Sequence, residues 1–309
     1  TMQHTLSNIV TISGIGLHSG AETTLVIKPA QPNAGISFVR RDVTDRNNII
    51  PARYDHVIDT RLCTLIGNKD GVTVGTIEHL MAALASLSID NAIIELDGPE
   101  VPIMDGSSEP FITAIRAVGV RAQTAPRRAI KILKDISITD GDKHVTLKPS
   151  VGSVYAVDIE FAHPSIGRQF YELDLFQGGF DDEISTARTF GFAHEVNALR
   201  AQGLALGGSL DNAIVLDQER VLNEDGLRFD DEFVRHKLLD AVGDIYLAGA
   251  PILGRYEGFK GGHALNNQIL RAMFAAPDSY AIIDLFSTDM PVQMGAFQPV
   301  FTPSAIAAE

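Results

Sequence analysis

A histidine and two aspartates are spaced at four-residue intervals along one largely apolar segment of this sequence. His236, Asp240 and Asp244 occupy positions i, i+4 and i+8, and side chains four residues apart project from the same face of a helix. Imidazole nitrogen and carboxylate oxygen are both ordinary zinc ligands. The spacing therefore predicts two ligands for one metal ion, and the competing interpretation is a solvated helix face.

The pair Glu78-His79 is the best candidate for completing such a site. It follows Thr76, which we interpret as the N-cap of an earlier helix. A catalytic zinc site usually has three protein ligands and one open position, so His79 would complete a His-His-Asp set. Glu78 would then take a proton from the attacking water. The alternative is that an acid in the first helical turn serves only the helix dipole.

Two further residues offer polar groups for a reaction. His263 follows Gly261-Gly262, where glycines permit close approach of a ligand. A cationic histidine there could stabilise an oxyanion or protonate an amine leaving group. Thr189 offers a hydroxyl donor, although an ordinary core or surface threonine explains it equally well. The remaining histidines are interpreted as surface or core residues: His4, His18, His56, His144, His163 and His194.

Composition limits the class of protein. The 309 residues predict two globular domains, and the net charge of −14 without a basic run longer than Arg127-Arg128 argues against nucleic-acid binding. The single cysteine, Cys63, excludes a disulfide within the chain and fits a reducing compartment. No apolar stretch approaches the ~20 residues of a transmembrane helix. The first ten residues lack the apolar core of a signal peptide, so we expect a cytoplasmic protein.

The predicted elements repeat, because both halves show strands, a helix, a strand and a helix. We expect an α+β fold of two similar domains, 1–124 and 128–309, with a linker near 120–128. Each domain would pack helices on a mainly antiparallel sheet. Ser107 or Ser108 would cap the second helix and Asp230 the long helix that runs to about Ala248. The predicted strands are 23–27, 37–39, 62–66, 92–96, 129–133, 143–147, 155–161, one from Pro251 and 281–285.

Six segments, taken in order, resemble a known family. They are Thr76–Leu84 (TIEHLMAAL), Asp105–Ser108 (DGSS), Ala187–Gly191 (ARTFG), Leu222–Arg228 (LNEDGLR), His236–Asp240 (HKLLD) and Gly262–Asn267 (GHALNN). Together they are similar to the UDP-3-O-acyl-N-acetylglucosamine deacetylases of lipid A biosynthesis. The resemblance runs from about residue 3 to residue 304.

This resemblance implies a chemistry for the candidate residues. The family binds zinc through the residues that match His79, His236 and Asp240, and its general base matches Glu78. The remaining roles that the resemblance implies are a general acid at His263, a partner that holds its protonation state at Asp244, and a hydrogen bond from Thr189 to the oxyanion. Cys63 would lie near the entrance of the site and is not a ligand.

The resemblance also implies a small-molecule substrate, an acylated UDP-amino sugar. Contacts to the uridine diphosphate would come from Lys237, Lys143, Lys260 and Phe161. The acyl chain would occupy a passage built by an inserted β-α-β unit at about 190–215 in the second domain. Its expected lining, for which core packing is the alternative, is Phe192, Val196, Leu199, Leu210, Ala213 and Val215. The alternative functions are a zinc amidase for another acylated amino sugar and a non-catalytic metal-binding protein.

Overall fold

The computed structural model describes residues 1–286 of the chain. Up to Pro126, burial alternates along the longer strands, as on the side of a sheet that covers a core. The elements of this part are β1 (Met2–Leu6), β2 (Val10–Ile15), β3 (Glu22–Pro29), β4 (Ile36–Arg40), β5 (Ile49–Pro51), β6 (Val57–Asp59), β7 (Leu65–Gly67), β8 (Thr73–Val74), α1 (Glu78–Ser86), β9 (Ala92–Leu96), α2 (Glu109–Val118) and β10 (Val120–Pro126).

The rest of the described chain is again a mixture of strands and helices. The predicted limits at residues 304 and 309 lie outside the described residues. The elements are β11 (Arg128–Ile132), β12 (Ile136–Asp140), β13 (Lys143–Lys148), β14 (Ser153–Phe161), β15 (Gly167–Asp174), α3 (Phe180–Glu183), β16 (Phe190–Phe192), α4 (Ala193–Ala201), β17 (Ile214–Leu216), α5 (Glu232–Ile245), β18 (Ile252–Phe259), α6 (His263–Ala275) and β19 (Tyr280–Asp284).

Two larger sheets carry these helices. The first has five strands in the order β2-β3-β9-β4-β5, and the second has seven strands centred on β18. Most neighbours are antiparallel, with parallel pairs at β4–β9, β11–β18 and β14–β18. Helix α5 contacts β14, β15 and α6 on one side and α1 on the other. The α+β prediction is confirmed, while the division into two similar domains stays a prediction.

The predicted insert is present as a compact β-α-β unit. Strands β16 and β17 pair in parallel, with Phe190 opposite Ile214 and Phe192 opposite Leu216, and α4 connects them. A parallel pair requires such a crossover connection. The unit therefore matches the prediction at about 190–215 closely.

Three local predictions were wrong. Thr76 does not cap α1, because its backbone has φ +55° and its hydroxyl donates to Glu100 Oε1 at 2.8 Å. Asp230 lies outside α5, which begins at Glu232 and ends at Ile245 before a 3₁₀ turn. The expected linker is mostly strand β10, which pairs with the N-terminal strand β1. The linker prediction rested on the polar composition of this segment. Its backbone N–H and C=O groups instead form hydrogen bonds with β1.

Ser108 occupies the N-cap position of α2, one of the two positions predicted, but its side chain makes no capping hydrogen bond. Ser107 Oγ accepts a hydrogen bond from the Glu109 N–H at 3.3 Å, whereas Ser108 Oγ donates to the carbonyl of His79 at 2.7 Å. The second contact ties α2 to the first turn of α1. Ser108, which the sequence suggested as a cap, thus fixes the backbone of the candidate metal ligand His79.

Helices α1 and α5 lie close together at Gly243. A Cβ at this position would lie 2.9 Å from the Glu78 carbonyl carbon, nearer still to its oxygen, and 3.2 Å from Ala82 N. Ordinary carbon–carbon contacts lie near 3.5–4.0 Å. Glycine therefore allows the two helix backbones to touch at the turn that carries Glu78 and His79.

Candidate active site

The two helices bring the three predicted metal ligands together. One ligand atom each from His79, His236 and Asp240 lies within 4.8 Å of the others. Both histidine Nε2 atoms are 3.3 Å from Asp240 Oδ1. All three residues are buried, so the solvated-face interpretation of α5 was wrong. Two imidazoles and a carboxylate converging at this range form the donor set of a catalytic zinc site.

Two of the three buried ligand atoms make no hydrogen bond within residues 1–286, although they lie 3.3 Å from each other. Among the described residues, His236 Nε2 and Asp240 Oδ1 are buried without any hydrogen bond. Buried polar atoms are nearly always satisfied, and an orphan pair at one point indicates a missing ion or ligand. The residues present therefore fit a metal ion, which would supply the interaction that the protein does not.

The orientation of His236 is fixed from behind. Its Nδ1 lies 2.9 Å from the carbonyl of Ala187, and a carbonyl only accepts, so Nδ1 carries the proton. Nε2 then presents its lone pair toward Asp240 and His79, as metal-bound imidazoles commonly do. The structure thus supplies the tautomer that metal binding requires.

A buried ion pair holds the irregular segment before β16 that carries this carbonyl. Glu232, fully buried in the first turn of α5, accepts hydrogen bonds from the N–H of Arg188 at 2.9 Å and from its guanidinium. The pair fastens residues 187–189 to the start of α5. Ala187 and Thr189 therefore share one rigid attachment with the helix that carries His236.

Glu78 and His263 lie next to each other beside the cluster of candidate metal ligands. Glu78 Oε1 is 3.6 Å from His263 Nε2, and Glu78 Oε2 accepts from the Thr64 N–H at 3.2 Å. His263 Nδ1 bonds Asp244 Oδ2 at 2.7 Å. The carboxylate of Asp244 also accepts from the Thr64 hydroxyl at 2.6 Å and from Asn266 Nδ2 at 2.9 Å.

Burial and mutual charge shift the acidities of this group. Burial raises the pKa of Glu78 to about 7, against the opposing charges of His263 and His79. Burial alone would lower the pKa of His263, but Asp244 and Glu78 outweigh it and raise this pKa to about 10. Burial would likewise raise the pKa of Asp240, yet His236 and His79 hold it well below its usual range. One buried acid thus titrates near neutrality beside a histidine that stays cationic there.

A cavity of about 620 Å³ opens from this group toward the insert. His236, Asp240, His263, Lys237 and Thr189 line its polar end. All six residues expected for the acyl passage line the rest of it, together with Phe161 and Phe190. These six are Phe192, Val196, Leu199, Leu210, Ala213 and Val215.

Backbone contacts between the insert and the first part of the chain border this cavity. The N–H of Leu206 donates to the carbonyl of His18, and that of Gly207 donates to the carbonyl of Leu17. Leu17 and His18 themselves line the cavity. The cavity is therefore walled by residues from the first part of the chain and from the insert.

Two of the expected phosphate contacts lie apart from this lining. Lys143 is exposed on β13, and Lys260 Nζ pairs with Asp142 at 2.7 Å. Neither belongs to the lining of the cavity. Lys237 and Phe161 are thus brought to the site, while Lys143 and Lys260 are not part of its wall.

Cys63 lies next to the site without joining the ligand set. Its side chain is partly buried, with Sγ beside Gly75. Burial, followed by the charge of Glu78, raises the pKa of the thiol to about 12. The metal-binding cluster of the described residues consists of His79, His236 and Asp240.

Sequence analysis assigned no role to Thr64 or to Asn266, although Asn266 lies in the GHALNN segment. Both are buried and both donate to Asp244, from positions 180 and 22 residues away. Neither belongs to a metal-ligand spacing or a helical stripe. Only the paired acid at Asp244 hinted that donors would be needed around it.

The fold and the site together define a class. An α+β protein with a buried His-His-Asp cluster, an adjacent acid of raised pKa and a cavity beside them has the arrangement of a metal-dependent hydrolase. Among residues 1–286, no helix is long and apolar enough to cross a membrane.

Comparison with known proteins gives the family. A sequence model described as UDP-3-O-acyl N-acetylglycosamine deacetylase matches residues 3–275. A Phenylobacterium zucineum protein of the name UDP-3-O-acyl-N-acetylglucosamine deacetylase is 50% identical over 91% of this chain and 96% of its own length. Proteins of the same name are 51% identical in Shewanella halifaxensis (94% and 95% covered) and 52% identical in Myxococcus xanthus (91% and 89% covered). The chain belongs to this deacetylase family.

Proposed function

We propose that this protein hydrolyses the N-acetyl group of UDP-3-O-acyl-N-acetylglucosamine, as a zinc-dependent deacetylase of lipid A biosynthesis. The observation that supports it most is the convergence of His79, His236 and Asp240 on one point, with two of their buried atoms unpartnered. Family membership supplies the substrate, which the geometry of the site alone does not define.

His79, His236 and Asp240 would hold the zinc ion. Zinc supplies a Lewis acid that acts on the amide carbonyl and on the attacking water. Binding must displace the proton of His79, whose pKa is raised because Asp240 outweighs the effect of burial. Metal loading should therefore release protons and strengthen as pH rises.

The acid and base roles follow from position and charge. Glu78 removes a proton from the attacking water, and its pKa of about 7 suits a base that works near neutrality. Thr189 donates its hydroxyl to the oxyanion that forms when water adds to the carbonyl carbon. His263, held by Asp244, protonates the nitrogen as the carbon–nitrogen bond breaks. The products are acetate and the free amine.

The cavity fits the two remaining parts of the substrate. Its apolar wall, built by the insert, offers a passage for the 3-O-acyl chain. Lys237 and Phe161 would contact the nucleotide portion nearest the metal ligands. Lys143 and Lys260 would contact the diphosphate beyond the wall, and Lys260 would exchange Asp142 for a phosphate.

Amine release from acylated and non-acylated UDP-N-acetylglucosamine, with and without a chelator, tests this proposal. We expect turnover of the acylated sugar only, loss of activity in folded chelated protein, and recovery with zinc. Equal turnover of both sugars would favour an amidase for another amino sugar. Chelated protein that unfolds, from a preparation without hydrolytic activity, would favour a structural metal site.

Two variants separate the metal ligands from the base. Glu78→Ala should keep the metal and lose at least about 100-fold in turnover, the usual effect of removing a general base. His236→Ala should lose the metal, because one of three ligands is gone. Near-normal turnover in the first variant, or one metal per chain in the second, would contradict the assignment of that residue.

A further inference from the structure

Thr64 joins the two acidic groups that flank the candidate metal ligands. It lies just before β7 and is buried, with 2% of its surface exposed. Its N–H donates to Glu78 Oε2 and its hydroxyl donates to Asp244 Oδ1. Thr64 thus contacts both Glu78, the proposed base for the attacking water, and Asp244, the hydrogen-bond partner of His263.

The hydroxyl is the decisive contact, because the two oxygens of Asp244 accept different numbers of hydrogen bonds. Oδ2 accepts from His263 Nδ1 and from Asn266 Nδ2. Among the described residues, Oδ1 accepts only from Thr64. Without that donor the buried carboxylate can rotate or draw in water, and its grip on His263 loses one fixed point.

Asn266 cannot replace the missing donor. Its side-chain oxygen accepts from the Tyr256 hydroxyl at 2.6 Å, which holds the amide with its NH₂ toward Oδ2. Tyr256 and Asn266 are both buried. The amide is therefore committed to one oxygen of Asp244, and the threonine to the other.

We propose that Thr64 is a positioning residue that fixes the Asp244 carboxylate, and through it the His263 imidazole, next to Glu78. This inference rests on the proposed function, since it assigns His263 a proton-donating role. Thr64 touches neither the substrate nor the metal ligands. It acts through hydrogen bonds that join the first part of the chain to α5.

The test uses side-chain variants, all of which keep the backbone N–H to Glu78. Thr64→Val keeps the shape and removes the hydroxyl, Thr64→Ala is a smaller second form, and Thr64→Ser restores the donor. Thr5→Val is the matched control, since Thr5 is also fully buried and donates to a carbonyl, that of Asn91, at 2.6 Å. Turnover, KM, bound zinc and urea unfolding are measured for each zinc-loaded protein.

We expect Thr64→Val to lower kcat by about 10-fold or more, the usual cost of removing an outer hydrogen-bond partner at a metal site. KM and bound zinc should stay near the wild-type values, and Thr64→Ser should recover most of kcat. Thr5→Val should lose stability and keep kcat. Equal kcat in the Thr64→Val and Thr5→Val proteins would overturn the proposal, as would a serine variant as slow as valine.

A spectroscopic readout separates this inference from the proposed function. The hydrogen-bonded Nδ1 proton of His263 should give a downfield proton NMR resonance, identified by its loss in His263→Ala. In Thr64→Val or Thr64→Ala this resonance should shift or broaden, and in Thr5→Val it should not. Wild-type protein without deacetylase activity would refute the function alone. An unmoved resonance in the Thr64 variants would refute the positioning role.

Discussion

The contact between α1 and α5 can be tested by adding one methyl group at Gly243. Helix propensity alone predicts that Gly243→Ala stabilises the protein by about 1 kcal/mol. The new Cβ, however, would lie 2.9 Å from the Glu78 carbonyl carbon and 3.2 Å from Ala82 N. Because the Cβ would lie nearer still to the Glu78 carbonyl oxygen, restoring ordinary contacts requires the helices to separate by at least about 1 Å.

That displacement has two costs of different kinds. Overpacking typically destabilises by about 1–3 kcal/mol, so after the gain in propensity we expect a net loss of up to about 2 kcal/mol. The displacement also moves His79, on α1, away from Asp240, on α5, whose ligand atoms are 3.3 Å apart. Zinc affinity should fall about 10-fold or more, because the two ligands no longer share one point.

The assays are urea unfolding of the metal-free protein and zinc competition with a chelating dye. Gly71→Ala serves as the control: its φ is +75° and nothing lies within 4 Å of the added Cβ. It should cost about 1–2 kcal/mol through backbone strain and leave zinc affinity unchanged. If the alanine variant at position 243 is more stable than wild type and binds zinc as tightly, the close approach does not set the ligand geometry.

Two further predictions concern the ionisation of Glu78 and His263 and of the Cys63 thiol. The profile of kcat/KM against pH should rise as Glu78 loses its proton, at a pH at or below about 7. It should fall as His263 loses its proton, at a pH between 6.5 and about 10, because a bound zinc ion would repel the imidazolium and lower its pKa. The falling limb should move or vanish in His263→Ala, and an unchanged limb would remove His263 from the acid role. Because its pKa is about 12, Cys63 should react with iodoacetamide on the order of 10³-fold more slowly than an ordinary thiol at pH 8. The rate should rise about tenfold per pH unit, and a fast reaction in folded protein would contradict this burial.

The cluster of His79, His236 and Asp240 was predictable because part of it depends on local spacing. His236 and Asp240 are four residues apart on one helix, and Glu78-His79 opens another. The six residues predicted for the acyl passage line the cavity beside the β-α-β insert, and their contact with an acyl chain stays a prediction. For His236 and Asp240, the order of residues along one element determines which side chains share a face.

The contacts that the sequence did not predict are tertiary. Thr64 and Asp244 are 180 residues apart, and no local pattern encodes such a pair. The same holds for β10, whose polar residues look like a linker until β1 lies beside them. For Thr76 the local pattern predicted a helix cap that the structure does not have, because its hydroxyl donates to Glu100 instead.

Because the candidate ligands are divided between α1 and α5, a bound zinc ion would contribute to the stability of the fold that joins these helices. A metal that binds only the assembled arrangement stabilises it by RT ln(1 + [metal]/Kd), about 2.7 kcal/mol at a hundredfold excess over Kd. The melting temperature should therefore track free zinc. In a cell that is short of the metal, both the amount of folded protein and the fraction that carries zinc would fall. The abundance of the protein would therefore depend on the zinc supply.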